Sequence, residues 1–419
     1  MLSLAAFALL MALGLPIAFA MIAGAVLQIV LGGNGVLLLS LPQQLFQGME
    51  SYGLLALPIF ILLGELMNAS GAGRRLFTLA GLATGGMRGG LAQAVLIANA
   101  LMAAVLGSTV AQITLMSRLA VPEMERAGYP RDGAAALTAA GGLLAPVIPP
   151  SMLLIVYGVI AQVPIGDLFL AGIGPGLALL AVLAAITAVH NRQRAAPARA
   201  PAARTLAEAL PALAIPAAMI AAILGGLATA PEAGVVAVLA VLAVGCLIYR
   251  EMTPAALWPA LIATIRSSAS ILLLIAAASL YAWVAAWENL PAMVAAQLAA
   301  VSDNPLIFLL LLNLMLLGLG MVLDPIPALI LVVPVLLPVA TDTYGIDPVH
   351  FGLIACLNLT IGLLTPPVGV GLYTTAMQTG VSAGRLSRLL LPYLGGALAV
   401  LAILTLVPGL ALGPLTLLQ

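Results

Sequence analysis

Lysine is absent from this chain: all fourteen cationic side chains are arginine. Charge of either sign is scarce, at 7% of 419 residues, and fourteen acidic groups bring the formal net charge to zero. Ordinary soluble domains carry about 25% charged residues because they must solvate a surface, so a soluble fold is excluded. No basic tail and no basic–aromatic interleaving is present, which removes nucleic acid from the candidate partners. Cysteine is nearly missing: Cys246 and Cys356 both sit in apolar segments, with neither a disulfide framework nor metal-ligand spacing. A Walker-type phosphate loop is also lacking, so direct ATP coupling has no support. The first thirty or so residues lack a basic n-region and exceed the ~15–30 residues of a signal peptide, so a retained membrane segment is expected there.

What remains is grease: 63% of the residues are hydrophobic, and an all-α polytopic membrane protein is nearly forced. Within it, Gly362-Leu363-Leu364-Thr365-Pro366-Pro367-Val368-Gly369 cannot be continuous helix. Two adjacent prolines remove two backbone donors and disfavour helix in the residue before each. Flanked by apolar sequence from about Val349 to Met377, this is expected to be a broken transmembrane helix, which lipid tolerates only where the freed groups are buried or line a wet cavity.

Taken in order, Leu2 to Leu31 reads as a span kinked at Gly14-Leu15-Pro16, and residues 36–50 can either cross the membrane or lie along it. Leu54 to Met67 is a clearer span, and Arg74 to Thr84 an amphipathic, interfacial helix. Gly89 to Arg126 has two arms around Gly107-Ser108-Thr109, each at the short limit of ~17 residues for a span, with arginine at both ends. That pattern predicts a re-entrant hairpin; two ordinary spans joined by a tight turn is the alternative. Gly133 to Gln162 is broken at Gly141-Gly142 and Pro146 to Ser151, Leu168 to Val189 spans back, and His190 to Thr205 is the one polar linker. Spans follow at 209–229, 233–249 and 264–287, then a short piece at Pro291 to Val301. A second two-armed element (Pro305 to Ala340) is centred on Gly320 to Pro325, and the last span is 389–412.

The halves repeat. Pro122 to Tyr157 and Pro338 to Tyr373 are both 35 residues apart, and each interval holds a Gly/Tyr pair and a Pro-Pro pair. Upstream, Asn99 and Gly107 parallel Asn313 and Gly320. Arg74, Arg75, Arg88, Arg126, Arg131, the linker arginines, Arg250, Arg385 and Arg388 flank ends that alternate onto one side, while Asp167, Glu232, Glu288, Asp303, Asp342 and Asp347 occupy the other. By the positive-inside rule the arginine side is cytoplasmic. The first hairpin then enters from the cytoplasm and the second from outside: inverted repeats, typical of secondary transporters with a midplane site.

The motifs Gly64 to Gly71 (GELMNASG), Arg88 to Gln93, Pro122 to Tyr129, Ile148-Pro149-Pro150-Ser151, Leu323-Asp324-Pro325, Gly345 to Gly352 and Asn358 to Gly369 resemble the large membrane subunit of tripartite ATP-independent periplasmic (TRAP) transporters over essentially the whole chain. The resemblance implies sodium-driven uptake of a small organic acid by an elevator mechanism, in a bacterial inner membrane. It implies as partners a separate small four-helix membrane subunit, a periplasmic solute-binding protein, sodium ions and the lipid bilayer; no cofactor beyond the coupling sodium; and no enzyme activity. It also implies a division into N-terminal scaffold helices and an interfacial arm (1–88), a first repeat (89–190; hairpin 89–126, broken helix 133–162), a cytoplasmic linker (191–205), further scaffold helices and a second arm (206–304), a second repeat (305–378; hairpin 305–340, broken helix 348–378) and a C-terminal helix (379–419).

By that resemblance one sodium lies among Ser108, Thr109, Gly142 and Pro146, a second among Gly320, Asp324, Thr360, Gly362 and Thr365, and substrate at Pro150, Ser151, Pro366, Pro367 and Gly369. Each hydroxyl and the carboxylate has a structural alternative: Ser108, Ser151 and Asp324 can cap helices, and Thr365 can bond the carbonyl four residues back. His350, near a helix start, reads as interfacial. Three residues depart from the family's usual pattern: Gln112 where an acid is common, Leu143 where a hydroxyl often follows the glycines, and Arg118 where a small residue is usual. Competing readings are a stand-alone sodium–dicarboxylate carrier and an intramembrane enzyme, for which Asp324 has no acidic mate.

Overall fold

A computed structural model describes residues 7, 9–11, 13–192, 194 and 202–418. Helix α1 (Ile17–Leu31) leads through a 3₁₀ segment (Gly35–Ser40) to α2 (Leu41–Gln47). At seven residues α2 is far short of the ~17 needed to cross a bilayer, so residues 36–50 do not span as helix. α3 (Ala56–Ala69) turns at Gly71, whose φ of 73° only glycine adopts freely, into α4 (Ala72–Thr84). α5 (Gly90–Leu106) and α6 (Thr109–Arg126) are the two arms of the first hairpin. α7 (Arg131–Gly141) passes through a 3₁₀ turn (Gly142–Leu144) into non-helical chain at Pro149-Pro150, and α8 (Met152–Ala161) resumes.

After α9 (Ile165–Asn191), part of the polar linker, residues 195–201, lies outside the described residues. α10 (Ala202–Leu224) starts within the expected linker, taking in Arg204, which pairs with Glu208 at 2.8 Å. α11 (Ala230–Ala243) and α12 (Pro254–Trp287) follow. α12 begins ten residues before the expected span because Thr253 caps it and Pro254 sits at its first position. The same device, a capping side chain followed by proline, starts α14 (Pro305–Val322) at Asn304, α15 (Pro325–Pro338) at Asp324 and α16 (Pro348–Leu363) at Asp347. Between them α13 (Leu290–Val301) is the short second arm. α17 (Val370–Thr379), α18 (Ala383–Leu406) and α19 (Gly409–Leu418) complete the chain.

Among the described residues, eight helical segments are long and apolar enough to cross a membrane, and the two arms α14 and α15 are counted among them. The centre of the molecule is α16, where every residue from Val349 to Leu363 is buried. Its few polar side chains are bonded within the protein, His350 to Leu404 O, Asn358 to Asn313 and Thr360 to Cys356 O, so the helix can be buried on every face. α14 and α18 pack on it, and the repeats exchange partners: α6 lies against α17, and α15 against α8. Tyr157 of α8 donates its hydroxyl to the carbonyl of Pro348, and its ring fills the space over Gly352, where a Cβ would meet ring carbon at 2.2 Å. α1–α4 and α10–α12 form the periphery, with α12 against α1 and α3.

His350 is buried rather than interfacial, its Nε2 lying 2.7 Å from the carbonyl oxygen of Leu404 in α18. At the arginine end, Arg75 pairs with Glu251 at 2.8 Å, Arg131 Nε donates to the carbonyl of Thr379 at 2.7 Å, and Arg385 donates to Asp132. These bonds bring the starts of α7 and α18 and the end of α17 to one end of the molecule.

Candidate transport site at the two hairpin tips

The first tip is made by glycine. α5 stops at Gly107, whose φ is 60° and whose absent Cβ would lie 2.9 Å from the amide nitrogen of Met152. The close approach lets the Gly107 carbonyl accept from that amide at 3.3 Å, joining the tip to the start of α8. Ser108 caps α6, its Oγ accepting from the Ala111 amide at 3.5 Å. Beneath the tip Gln112 is fully buried and its Nε2 donates to Asn99 O (2.9 Å), Asn99 Oδ1 (3.0 Å) and Gly141 O (3.2 Å). Its own Oε1 has no partner, and Gly141 has no room for a Cβ, which would meet Asn99 Cγ at 2.4 Å.

The second tip repeats the scheme. The carbonyl of Met321 accepts from the amide of Gly369 at 2.8 Å, joining hairpin to break as at the first tip. Gly320 and Gly362 let the backbones touch: a Cβ on Gly362 would lie 2.6 Å from the Gly320 carbonyl carbon, and one on Gly320 2.5 Å from Leu359 O. Asp324 caps α15, Oδ1 accepting from the Ile326 amide at 3.2 Å. Thr360 and Thr365 donate to the carbonyls four residues back, Cys356 (2.9 Å) and Ile361 (2.7 Å). Asn358 Nδ2 donates to Asn313 Oδ1 at 2.6 Å, and Asn313 Nδ2 to Thr405 Oγ1 at 3.0 Å. Both breaks have the cis Pro-Pro bond, Pro149-Pro150 and Pro366-Pro367.

The two tips face a common cavity of about 30 Å³, lined by Gly107, Ser108, Thr109 and Pro146 from the first repeat and by Asp324, Pro325 and Leu363 from the second. A water needs about 10–15 Å³ of such space, so the cavity admits a water or a small ion. Asp324 thus stands with Ser108, Thr109 and Pro146, not only with its own repeat. Gly142 lies just behind, where a Cβ would touch Thr109 Cγ2 at 3.4 Å. The remaining residues are placed differently. Ser151 is fully buried and caps α8 through the Leu154 amide (3.4 Å), and Pro150 is buried beside it. Pro366 and Pro367 are exposed, and Gly369 is buried at the tip bond. Thr360 is enclosed within α16.

Among the described residues no three His, Cys, Asp or Glu side chains come together. The oxygens available at the tips are hydroxyls, freed carbonyls and one carboxylate, a set that suits a hard monovalent cation in a discontinuous helix. Gln112 stands out in the sequence as a departure from the family pattern, Asn358 as the start of a motif, and Asn99 and Asn313 as equivalent repeat positions; that Gln112 bonds Asn99 and Asn358 bonds Asn313 is added by the structure.

The model of the tripartite ATP-independent periplasmic transporter DctM component matches residues 4–410 of this chain. The chain belongs to that family. It is 36% identical over 400 residues to the sialic acid TRAP transporter large permease protein SiaM of Vibrio cholerae, covering 94% of this chain and 93% of the relative. It is 35% identical to the 2,3-diketo-L-gulonate TRAP transporter large permease protein YiaN of Escherichia coli (96% of each chain). The C4-dicarboxylate TRAP transporter large permease protein DctM of Pseudomonas aeruginosa is also 35% identical, over 89% of this chain and 88% of that one. Among solved structures, the Alcanivorax borkumensis YdaH transporter superposes with a TM-score of 0.66 at 16% identity, covering 90% of this chain and 89% of that one, and so shares the fold. This large permease is therefore a multi-pass inner-membrane transport protein and not an enzyme.

Proposed function

We propose that this large permease carries a small organic acid inward on a sodium gradient, receiving it from a periplasmic binding protein and working beside a small membrane subunit. The observation that carries the reading is the matched pair of backbone bonds, Met152 N to Gly107 O and Gly369 N to Met321 O, which ties each hairpin tip to its own helix break, while residues of both tips line one small cavity. Cations are held at the first tip by Ser108, Thr109 and carbonyls near Gly142 and Pro146, and at the second by Asp324, Thr365 and carbonyls near Gly320, Thr360 and Gly362. Half-helix N-termini at Ser151 and Gly369 favour a carboxylate through their dipoles.

Hairpins and broken helices move as one body against the peripheral helices, an elevator supported by the exchange of partners between repeats (α6 on α17, α15 on α8). The ~30 Å³ cavity is too small for an organic acid, so substrate enters where Pro366, Pro367 and Val368 are exposed. That the relatives act on sialic acid, diketogulonate and C4-dicarboxylates supports an organic acid as cargo. Reconstitution with both partners tests the reading: uptake should require an inward sodium gradient and the binding protein, and uptake independent of either would overturn it.

A further inference from the structure

A cleft of about 610 Å³ opens at the arginine end, between the amphipathic helix α4 (Arg74, Phe77, Thr78) and the first hairpin (Leu91, Arg118, Leu119). Its walls are largely apolar, and its rim carries three arginines, Arg74, Arg118 and Arg126, and one carboxylate, Glu123. Arg74 lies 3.5 Å from Glu251, and Arg126, also on the rim, pairs with Glu123 at 2.6 Å. Arg118 differs: its Nε donates to the neutral Gln378 Oε1 of α17 at 3.2 Å, and among the described residues it has no carboxylate partner. Its side chain is exposed to the cleft, halfway along α6. Nine residues of helix put it about 14 Å from the tip at Thr109, near the inner edge of the hydrocarbon. Between tip and arginine, Ala111 is exposed and Thr114 half-buried at helical spacing on the same face, giving an accessible stripe from the hairpin tip to the cleft.

Near that edge the exposed Arg118 side chain reaches water along the cleft, and its terminal guanidinium nitrogens, bonded to none of the described residues, offer the fork that matches a carboxylate bidentately. We infer that Arg118 binds the carboxylate of the carried solute as it leaves the hairpin tip, making the α4–α6 cleft an inner anion site of this permease. The inference rests on the reading that the cargo is an organic acid. Arg118 also reports the position of α17 through Gln378, so the site straddles both repeats.

The test uses the membrane complex in phosphatidylcholine vesicles, with Thr78→Cys as reporter and Cys246→Ala and Cys356→Ala as background. Sulfonatoethyl methanethiosulfonate, an anion, should label position 78 faster, by up to about tenfold, with Arg118 present than in Arg118→Gln, because Arg118 is the rim arginine with no carboxylate partner among the described residues and its removal lowers the local anion concentration. Arg118→Lys should restore the rate, the cationic trimethylammonioethyl reagent should show the opposite bias, and succinate should slow the anionic reagent only when the cation is present. Equal rates in Arg118→Gln, or suppression by added phosphatidylglycerol with no effect of succinate, would overturn the assignment, the second outcome making the cleft a lipid-headgroup site. Sodium titration of transport is read separately: loss of sodium coupling with labelling intact would undo the proposed function and leave this site standing.

Discussion

The close backbone contact of Gly362 with Gly320 at the second tip allows a sharp perturbation. In Gly362→Ala the new methyl would lie 2.6 Å from the carbonyl carbon of Gly320, 2.7 Å from its Cα and 2.9 Å from Leu317 O. Carbon–carbon contacts are comfortable at about 3.5–4.0 Å, so α14 and α16 must part by about 1 Å, and backbone atoms cannot swing aside as a side chain could. Overpacking of this kind costs about 1–3 kcal/mol, offset by up to ~1 kcal/mol from replacing glycine with alanine in a helix. The same displacement separates Met321 O from Gly369 N and spreads the carbonyls proposed to hold sodium. A net loss of ~1.4 kcal/mol at the ion corresponds to a tenfold rise in half-saturation. The assay is thermal unfolding of the purified membrane complex across a sodium titration, because an ion that binds only the folded state raises the midpoint. Gly318→Ala, on α14 two residues before Gly320 and with nothing within 4 Å of its new Cβ, is the control and should be neutral or slightly stabilising. If Gly362→Ala melts and responds to sodium as the native chain does, the close approach has no part in ion binding.

Asp324→Asn separates cap from ion ligand: asparagine caps as well as aspartate, so sodium-free melting should be unchanged while the sodium response weakens at least about tenfold, and an intact response would reduce Asp324 to a cap. Thr365→Ala should raise the sodium concentration for half-maximal transport with assembly intact, since its hydroxyl can donate to Ile361 O and still offer lone pairs to a cation; normal sodium dependence would leave it a back-bonded helix residue. Gln112→Leu removes the one donor shared by Asn99 O, Asn99 Oδ1 and Gly141 O and should cost about 1–3 kcal/mol of stability, read as a lower midpoint; an unchanged midpoint would show that those acceptors need no partner.

Much of this architecture is written in local chemistry. Pro149-Pro150 and Pro366-Pro367 must interrupt helix wherever they occur, and Asn304-Pro305, Asp324-Pro325 and Asp347-Pro348 must start it, so hairpins and breaks were legible from the chain alone. Tertiary placement was not. Nothing near Ser151 in sequence says that the first tip closes over the start of α8, because Gly107 approaches it from elsewhere in the chain, leaving no space for a Cβ (2.9 Å from Met152 N), and nothing near Pro366 says that it stays exposed. Asp324 looked paired with its own repeat for the same reason; only the meeting of the tips sets it beside Ser108 and Thr109. His350 looked interfacial because it follows Asp347-Pro348, yet α18 covers it and supplies the Leu404 carbonyl.

The most direct measurement is solute accumulation in proteoliposomes holding the large and small membrane subunits, with the loaded binding protein outside and sodium varied on each side. Sodium-coupled carriage predicts accumulation only with an inward sodium gradient, and collapse when sodium is equal on both sides or replaced by potassium. Accumulation that persists without sodium would contradict it.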